Sequence, residues 1–352
     1  MKKKVMVSMP VNLNNDDKPF FKTRSNYTTP LLKLKKINGP LVTSSGLVCT
    51  SAGLVKECCH YKMGSELQLC TMQVSHYFSA AKSDSNNLIT LDDEETYLLI
   101  HHPWFFNYYH WVCESLVRLL MIRDKTSDMI LLLPSNPPKY IIDSLEPFNF
   151  KGVFYIPLGK SVLVRLLCMP QICPEMAVYN PFDLRELNKI YTDYVSSAKK
   201  ITLKIGERLY LSRSKSKKRT ISNEDAVINI LKEYNFKVIY NEDYTFFEQV
   251  SLYSQAKFLI SIHGAGLSNL LFMPQGTTVF EFHKKPTNPS DRHNLVYWYM
   301  SDALNHKYYH QVCDHTTFNS QFFSEDIADI TVDIQSFKND LDKIFFANQN
   351  IA

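Results

Sequence analysis

The sequence predicts an α/β protein with two domains, and three observations lead to this fold class. The chain has 352 residues, 45% of them hydrophobic, which suits roughly two domains of ordinary size. From about Ile201 onward, short apolar runs alternate with helical segments, as in a parallel sheet with crossover helices. The first half also contains short strand-like runs. We therefore expect an N-terminal domain over residues 1–195 and a C-terminal, Rossmann-like domain over residues 196–352.

Several apolar runs in the second half are predicted to be strands. They are, in order, ERLYLSR (207–213), FKVIY (236–240), AKFLISIHG (256–264), TTVFEF (277–282) and KYYHQV (307–312). Two helix starts are predicted from capping-box spacing, one at Ser222 with Asp225 and one at Thr245 with Glu248.

The first half is harder to divide into elements. Its predicted strands are TYLLIHH, MILLLP, GVFYIP and VLVRLLCMP, and one helix is predicted over about residues 107–123. The acidic run LDDEE (91–95) is predicted to be a solvated turn before the first of these strands. Near the C-terminus, apolar residues at helical spacing predict a terminal amphipathic helix; they are Ile334, Phe337, Leu341, Ile344 and Phe345.

The composition argues against several classes of partner. The net charge of +4 comes from 39 basic and 35 acidic residues, which is too balanced to predict nucleic acid as an obligate partner. No apolar run approaches the roughly 18 residues of a membrane span, and the apolar part of the N-terminal segment is too short for a signal peptide. We expect a soluble, cytoplasmic protein without a transmembrane segment, although peripheral membrane contact stays open.

The cysteines do not form a recognisable framework. The chain has 8 of them, without a C-x-x-C pair, so reduced thiols are expected. Cys58, Cys59, His60 and Cys70 could in principle supply metal ligands. Their spacing matches no zinc module, which favours core or loop thiols.

A ligand site is predicted at the turn HGAG, where a strand ends and a short helix begins. Gly264 and Gly266 would let backbone amides approach a phosphate, and His263 could donate a hydrogen bond to it. Arg213 ends another strand at the same sheet edge and could bind a diphosphate through two hydrogen bonds. Glu281 ends a third strand, where a carboxylate would accept both ribose hydroxyls. The alternatives are a plain tight turn, a surface arginine in a basic loop and an exposed strand-end glutamate.

The order of the motifs carries a family resemblance. RLYLSR (208–213), RTISNED (219–225) and FEQVSLYSQAKFLISIHGAGLSNLLFMPQGTTVFEF (247–282) resemble glycosyltransferase family 61, and HPWFFNYYHWVCESLVRLL (102–120) is similar to an earlier stretch of that family. The family includes plant xylan transferases, animal O-GlcNAc-type transferases and bacterial capsular polysaccharide proteins.

The resemblance covers about half of the chain and has implications for fold and chemistry. It implies a GT-B fold, with two Rossmann-like domains facing a cleft, an inverting reaction and a nucleotide-sugar donor held by the C-terminal domain. By the resemblance, the donor-binding residues are Arg213, His263, Gly264, Ala265, Gly266, Leu267 and Glu281.

A second candidate site lies on the helix predicted in the first half. Asn107, His110, Glu114 and Arg118 recur at spacings of three and four residues and would form one polar stripe. Inverting transfer needs a general base for the acceptor hydroxyl, and we expect Glu114 in this role with His110 as the alternative. Asn107 and Arg118 would lie on the acceptor side. A solvated outer helix face is the competing interpretation.

The sequence also bears on metal use. The one Asp-x-Asp match is Asp340–Leu341–Asp342, inside the predicted terminal helix, so we expect no metal and no other cofactor. Arg213 and the backbone amides at a helix start would stabilise the negative charge of the diphosphate instead.

The sequence therefore predicts an inverting, metal-independent glycosyltransferase. It would move a sugar from a nucleotide-sugar donor, UDP-linked, to a carbohydrate acceptor in polysaccharide or glycan biosynthesis. The alternatives are a non-catalytic nucleotide- or glycan-binding module of the same fold, and a nucleotide-sugar epimerase or hydrolase, which would consume the donor without a glycan.

Overall fold

The computed structural model describes residues 3–22, 24–29, 33–59, 64–171, 178–285, 295–315 and 328–346. The chain forms two compact units. Unit 1 comprises Met1–Lys3 and Thr29–Ile190, and unit 2 comprises Lys4–Thr28 and Tyr191–Ala352. Both units combine helices with a sheet, so the predicted α/β class is confirmed. Among the described residues, every helix is too short or too polar to span a bilayer.

The strands of the described residues run, in chain order, over β1 (Lys4–Met6), β2 (Asn26–Thr28), β3 (Leu34–Asn38), β4 (Leu41–Thr43), β5 (Val48–Thr50), β6 (Gly53–Leu54), β7 (Leu88–Leu98), β8 (Met129–Pro134), β9 (Gly152–Ile156), β10 (Ser161–Pro170), β11 (Arg208–Leu211), β12 (Lys237–Ile239), β13 (Phe258–Ile262), β14 (Thr278–Lys284), β15 (Lys307–His315) and β16 (Ile330–Thr331).

The α-helices are α1 (Lys18–Lys22), α2 (Gly64–Ser83), α3 (Tyr108–His110), α4 (Leu116–Leu119), α5 (Lys139–Leu145), α6 (Pro181–Tyr194), α7 (Glu224–Glu233), α8 (Phe246–Tyr253), α9 (Val296–Ala303) and α10 (Ile334–Phe346). Short 3₁₀ turns cover Lys56–Cys58, Ser85–Asn87, Arg123–Asp128, Asn241–Asp243 and Ala265–Phe272, and π turns cover Trp111–Ser115 and Val195–Lys199.

Unit 1 is built on one sheet with the order β6-β5-β4-β10-β7-β8-β9, and β3 pairs with β10. The strands β10, β7, β8 and β9 are parallel, whereas β3 and β4 run antiparallel to β10. Apolar side chains from these strands form one core, including Val42, Tyr97, Leu132 and Leu167. Three of the predicted strands of the first half are present as β8, β9 and β10, whereas TYLLIHH is a strand only up to Leu98, where β7 ends.

The acidic run was predicted to be a turn, and this prediction is wrong because the run lies within β7. Pairing with β10 shifts register there, from Leu91 opposite Val164 to Thr96 opposite Leu166. The acidic residues occupy this irregularity as ion pairs. Glu94 lies 2.6 Å from Arg165 and Glu95 lies 2.6 Å from Lys151.

Unit 2 contains a sheet with the order β12-β11-β13-β14-β15-β16, in which the first five strands are parallel. All five strands predicted in the second half are present. Helix α7 and α10 pack on this sheet, with Phe337 and Leu341 of α10 in the same core as Phe280 and Phe282. The apolar positions of α10 therefore face the sheet.

Of the two predicted capping boxes, only one forms. Thr245 and Glu248 exchange both capping hydrogen bonds at the start of α8, which confirms that prediction. Ser222 does not cap α7, since Asn223 is the N-cap residue. The Ser222 hydroxyl instead donates to the carbonyl of Ile330, so a tertiary partner replaces the local one.

The N-terminal segment Lys4–Thr28 differs from its predicted placement in the first domain. Trp298 Nε1 donates to the Ser8 carbonyl at 2.7 Å, and the Tyr299 hydroxyl donates to the Arg24 carbonyl at 2.7 Å. Phe21 is fully buried against Trp298, with ring centroids 4.9 Å apart. These contacts attach the segment to α9 and explain its membership of unit 2.

Candidate functional site

The site in unit 2 lies at a reversal of strand order. The chain passes from β11 outward to β12 and then back to β13 on the other side of β11. In parallel α/β sheets, ligands bind outside the carboxyl ends of the two strands that flank such a switch point. Arg213 follows the end of β11 and His263 follows the end of β13. The structure therefore places the predicted arginine and the predicted histidine at the same switch point.

Arg213 packs directly over Gly264. A Cβ atom added at Gly264 would lie 2.5 Å from Nη1 and 2.9 Å from Cζ of Arg213. The glycine is in extended backbone, so its role is to make room for the guanidinium. Burial, followed by repulsion from Arg219, lowers the pKa of Arg213. The site thus holds a partly desolvated cation at the strand ends.

In the basic loop after β11, arginine and lysine side chains differ in burial. Arg213 donates from Nε to the Arg219 carbonyl at 3.2 Å and from Nη2 to the Ser216 hydroxyl at 3.1 Å. Lys217 and Lys218 are exposed, whereas both arginines are partly buried. Burial therefore sets Arg213 and Arg219 apart from the two lysines, whereas the sequence singled out only Arg213.

Arg219 is the functional candidate that sequence reasoning missed. Its backbone has a φ of 57°, in the left-handed region where a residue other than glycine is uncommon. Within the described residues, no acceptor meets its buried Nε. A buried donor of this kind is costly unless a ligand satisfies it. The only available signal was its position as the first residue of the RTISNED segment.

His263 is held by a buried carboxylate. Its Nδ1 donates to Oε1 of Glu281 at 2.5 Å. The other oxygen of Glu281 accepts a hydrogen bond from the Tyr308 hydroxyl at 2.6 Å and lies 3.2 Å from Nε2 of His283. Burial alone would raise the pKa of Glu281, but the adjacent His283 and His263 lower it below its usual range. Glu281 is therefore an ionised group that fixes the histidine ring.

This geometry changes the predicted role of Glu281. The residue was expected to accept ribose hydroxyls, but it is fully buried and both oxygens are used within the fold. The prediction that Glu281 ends its strand is also wrong, because β14 continues to Lys284 and Glu281 lies within it, beside Tyr308 of β15. Glu281 thus acts on the site indirectly, by fixing the orientation of the His263 ring.

The remaining predicted donor residues begin the 3₁₀ turn Ala265–Phe272. Ala265 and Gly266 are partly exposed. A Cβ at Gly266 would lie 2.8 Å from Cδ2 of Leu211 and 2.9 Å from Nδ2 of Asn241, so this glycine too is required by close packing. Leu267 has a fully buried side chain, and its amide donates to the Gly264 carbonyl at 2.9 Å. The prediction that Leu267 binds the donor is therefore not supported for its side chain.

The second candidate site lies in unit 1, around the predicted helix. In the structure this helix begins at Tyr108, with Asn107 as its N-cap, and ends at Leu119. Its middle is a π turn, Trp111–Ser115, and such turns occur frequently at functional sites. The continuous helix predicted to residue 123 is thus too long.

Glu114 lies on the π turn between two histidines. Nδ1 of His110 is 2.7 Å from Oε2 of Glu114, and Nε2 of His102 is 3.2 Å from the same oxygen. The side chain of His102 is fully buried, while those of His110 and Glu114 retain a small exposed area. The predicted pairing of His110 with Glu114 is present, and His102 is an addition that helical spacing could not reveal.

Arg118 and Asn107 have structural roles. The Arg118 guanidinium is buried and donates to the Pro170 and Ile100 carbonyls. Burial lowers the pKa of Arg118 to about 9. The side chain of Asn107 accepts from the amide of Tyr109 at 3.0 Å. Arg118 therefore contacts backbone carbonyls inside the unit, which contradicts the predicted acceptor contact, because its guanidinium is buried and its hydrogen bonds go to Pro170 and Ile100.

Two groups in the described residues could hold a divalent metal ion. They are His102, His110 and Glu114 in unit 1, and His263, Glu281 and His283 in unit 2. Two imidazoles and one carboxylate suit several transition metals. In each group the ring nitrogens also lie within hydrogen-bonding distance of the carboxylate, so a proton can occupy the same position. The prediction of a metal-independent site therefore stays a prediction.

The other metal candidates from the sequence have different surroundings. Cys58 and Cys59 are buried in the core of unit 1, and His60 lies outside the described residues. Asp340 accepts from Nδ2 of Asn12 at 2.6 Å, and Asp342 accepts from the Tyr234 hydroxyl at 2.5 Å. Both aspartates lie on α10, so the Asp-x-Asp match belongs to helix packing, as the sequence indicated.

Comparison with known proteins places this chain in a family. Residues 108–280, about half of the chain, match the family described as Glycosyltransferase 61. The chain belongs to glycosyltransferase family 61.

Curated relatives are similar over shorter segments. Protein O-linked-mannose beta-1,4-N-acetylglucosaminyltransferase 2 from Mus musculus and from Homo sapiens are each 38% identical over 88 residues, which is 24% of this chain and 15% of each relative. EGF domain-specific O-linked N-acetylglucosamine transferase from Drosophila melanogaster is 29% identical over 148 residues, 41% of this chain and 25% of that relative. The aligned segments thus make up a quarter or less of these relatives.

Proposed function

We propose that this protein is an inverting glycosyltransferase of GT-B fold that takes a UDP-sugar as donor. One observation carries the proposal: at the switch point of unit 2, the Arg213 guanidinium packs on Gly264 beside Arg219, whose buried Nε has no acceptor in the described residues. Two adjacent guanidinium groups that repel each other are suited to a diphosphate, which supplies charge and acceptors to both.

The relatives suggest which sugar to test first. The names of the mouse and fly relatives both specify transfer of N-acetylglucosamine. We therefore propose UDP-N-acetylglucosamine as the first donor and a carbohydrate, free or linked to protein, as the acceptor.

In the proposed reaction, the acceptor hydroxyl oxygen forms a bond to the anomeric carbon while the bond from that carbon to the diphosphate oxygen breaks. The electron pair leaves with the diphosphate, whose negative charge Arg213 and Arg219 would stabilise. The hydroxyl proton passes to a general base. Attack opposite the leaving group inverts the anomeric configuration.

The geometry in unit 1 favours His110 as this base, although the sequence alone favoured Glu114. A carboxylate can only accept, so the ring carries its proton on Nδ1, toward Glu114, and its lone pair on Nε2. One oxygen of Glu114 lies near both His102 and His110, and its hydrogen bond with Nδ1 of His110 fixes the orientation of that ring. We propose that Glu114 orients His110 and stabilises its protonated form.

The test starts with donor binding and then separates the rival functions. Titration calorimetry with UDP, compared with CDP and GDP, should give binding for UDP that Arg213→Ala and Arg219→Ala each weaken by roughly tenfold or more. Lys217→Ala, an exposed lysine of the same loop, is the matched control. Equal losses in all three variants would contradict the proposed diphosphate site.

A second assay tests turnover. Incubation with UDP-N-acetylglucosamine and a panel of glycosides should release UDP only when an acceptor is present, and the product should have the inverted anomeric configuration by NMR. Donor consumption without any glycan would indicate an epimerase or hydrolase. Tight UDP binding without turnover on any panel member would favour a binding module.

A further inference from the structure

An exposed aromatic surface lies beside the candidate base in unit 1. Trp104 is 39% exposed and Phe106 is 59% exposed, whereas Tyr109 in the same stretch is buried. Large aromatic rings on a surface usually have a partner, because leaving them in water forgoes much favourable burial. The stretch therefore divides into rings that belong to the core and two that face solvent.

The backbone that carries these rings is fixed by hydrogen bonds. The Phe105 amide donates to the His102 carbonyl at 2.9 Å, and the Asn107 amide donates to the Trp104 carbonyl at 3.0 Å. The Tyr140 hydroxyl donates to the Phe106 carbonyl at 2.8 Å. The backbone that carries the rings is consequently ordered before any ligand arrives, which reduces the entropy lost on binding.

The two rings and the candidate base form a continuous surface. The ring centroids of Trp104 and His110 are 6.2 Å apart with planes inclined by 37°, and those of Trp104 and Phe106 are 6.4 Å apart at 36°. A flat molecule lying on the indole would thus have its edge next to His110. This position is the one that an acceptor needs if its hydroxyl proton is to pass to the imidazole.

We propose that Trp104, assisted by Phe106, is the acceptor subsite and that it binds a pyranose through the apolar C–H face of the sugar ring. The proposal rests on the proposed glycosyl transfer. The positive C–H edges of a pyranose face match the negative face of an indole, while the sugar hydroxyls at the ring edge stay available to His110 and to water. An aromatic side chain also suits this role because few of its torsions must be fixed.

The protein offers a direct optical test of this subsite. The chain has 3 tryptophans. Trp111 and Trp298 are fully buried, so acrylamide quenching of tryptophan fluorescence reports chiefly on Trp104. The probes are methyl α-mannoside, methyl β-N-acetylglucosaminide and methyl β-xyloside at millimolar concentrations, with and without UDP. At least one probe should protect Trp104 from acrylamide, and glycerol at equal concentration should not.

Variants separate this proposal from a general loss of structure. By saturation-transfer NMR, Trp104→Ala should weaken binding of the protecting glycoside by about tenfold, while Trp104→Phe retains most of it. Phe182→Ala is the matched control, because Phe182 is 71% exposed in the same unit and makes no ring contact with Trp104 or Phe106. In turnover assays, Trp104→Ala should raise the KM for the acceptor and leave the KM for the donor unchanged.

The outcomes distinguish failure of the aromatic subsite from failure of the proposed glycosyl transfer. If UDP binds the wild-type protein but no glycoside protects Trp104, or if Trp104→Ala and Phe182→Ala behave alike, the aromatic subsite is wrong and the donor site stands. If UDP does not bind and no donor is turned over, the proposed function itself fails. A glycoside that protects Trp104 in a protein unable to bind UDP would keep the sugar site and reassign the protein as a glycan-binding module.

Discussion

Nδ1 of His263 and Oε1 of Glu281 lie 2.5 Å apart in unit 2, where His263 follows β13 and Glu281 lies within the neighbouring β14. The carboxylate is fully buried and ionised, so the histidine ring has a fixed orientation, with its second nitrogen on the far side of the ring. A buried acid thus positions a partly exposed imidazole at the candidate diphosphate site.

The first prediction follows from this pair. Glu281→Gln should weaken UDP binding by roughly tenfold, about 1.4 kcal/mol, because a neutral amide cannot serve as acceptor to all its present neighbours and the ring loses its fixed orientation. Calorimetry measures the affinity, and circular dichroism checks that the variant is folded.

Two adjacent tyrosines of β15 give a matched comparison. Tyr308→Phe removes a hydrogen bond to Glu281, whereas Tyr309 stacks on Phe280 instead. Tyr309→Phe should bind UDP like the wild type, and a loss equal to that of Tyr308→Phe would contradict the positioning role.

The second prediction concerns Gly264. Gly264→Ala should displace the Arg213 guanidinium, since the new methyl group would lie 2.5 Å from Nη1. UDP affinity should fall, but by no more than in Arg213→Ala, because the displaced side chain keeps its charge. Gly152→Ala is the control, because a Cβ at Gly152 meets nothing within 4 Å. UDP affinity equal to that of the wild type in Gly264→Ala would contradict a role in diphosphate binding for the packing of Arg213 on Gly264.

Much of the fold was predictable from the sequence, and the reasons are local. The parallel strands are short apolar runs bounded by polar turns, and the α8 cap is complete within Thr245–Glu248. Predictions failed where a distant residue decides the structure. Ser222 has the right spacing for a cap, but its hydroxyl bonds to Ile330, and the acidic run of β7 belongs to the sheet because β7 pairs with the distant β10.

The same distinction applies to the candidate sites. Sequence order indicated that Arg213 and His263 would meet, because carboxyl ends of parallel strands share one edge. It could not indicate that Glu281 points inward, that Arg118 is buried under Ile100 and Pro170, or that His102 joins Glu114. Each of these depends on a side-chain direction set by tertiary packing.

The third prediction divides the roles of His110 and Glu114. His110→Ala should reduce turnover by about 10²- to 10⁴-fold, the usual contribution of a general base, with UDP affinity unchanged. Glu114→Gln should cause a smaller loss, because the amide can still hold the ring but cannot stabilise its charge. His76→Ala, at an exposed histidine of the same unit, is the control. A larger loss in Glu114→Gln than in His110→Ala would make Glu114 the base.

The fourth prediction concerns metal. UDP should bind equally well with and without EDTA, because the two arginines would supply the charge that a metal otherwise provides. Calorimetry on protein dialysed against EDTA, then against Mn²⁺, gives the comparison. If EDTA abolishes binding, His263→Ala and His110→Ala, assayed for metal content, would identify which of the two histidine and carboxylate groups holds the ion.

The fifth prediction is a pH dependence of stability that originates at His306. This residue is buried, with Nε2 3.1 Å from the Leu270 carbonyl and Nδ1 2.9 Å from the Thr277 hydroxyl. Burial lowers the pKa of His306 from 6.5 to about 4. The unfolded chain therefore binds a proton that the folded protein excludes, and stability is lost as the pH falls from about 6.5 toward about 4.

The expected size of this effect is up to about 1.4 kcal/mol in the free energy of unfolding for each pH unit within that window. Urea unfolding at about pH 7, 6 and 5 measures it, and His306→Gln should show a shallower decline than the wild type because the amide does not titrate. Other buried histidines contribute equally to both proteins and cancel in the comparison. His76→Gln, at an exposed site, should retain the wild-type slope. Parallel curves for the wild type and His306→Gln would show that His306 is protonated in the folded protein, and the buried, neutral ring inferred from its hydrogen bonds would then be wrong.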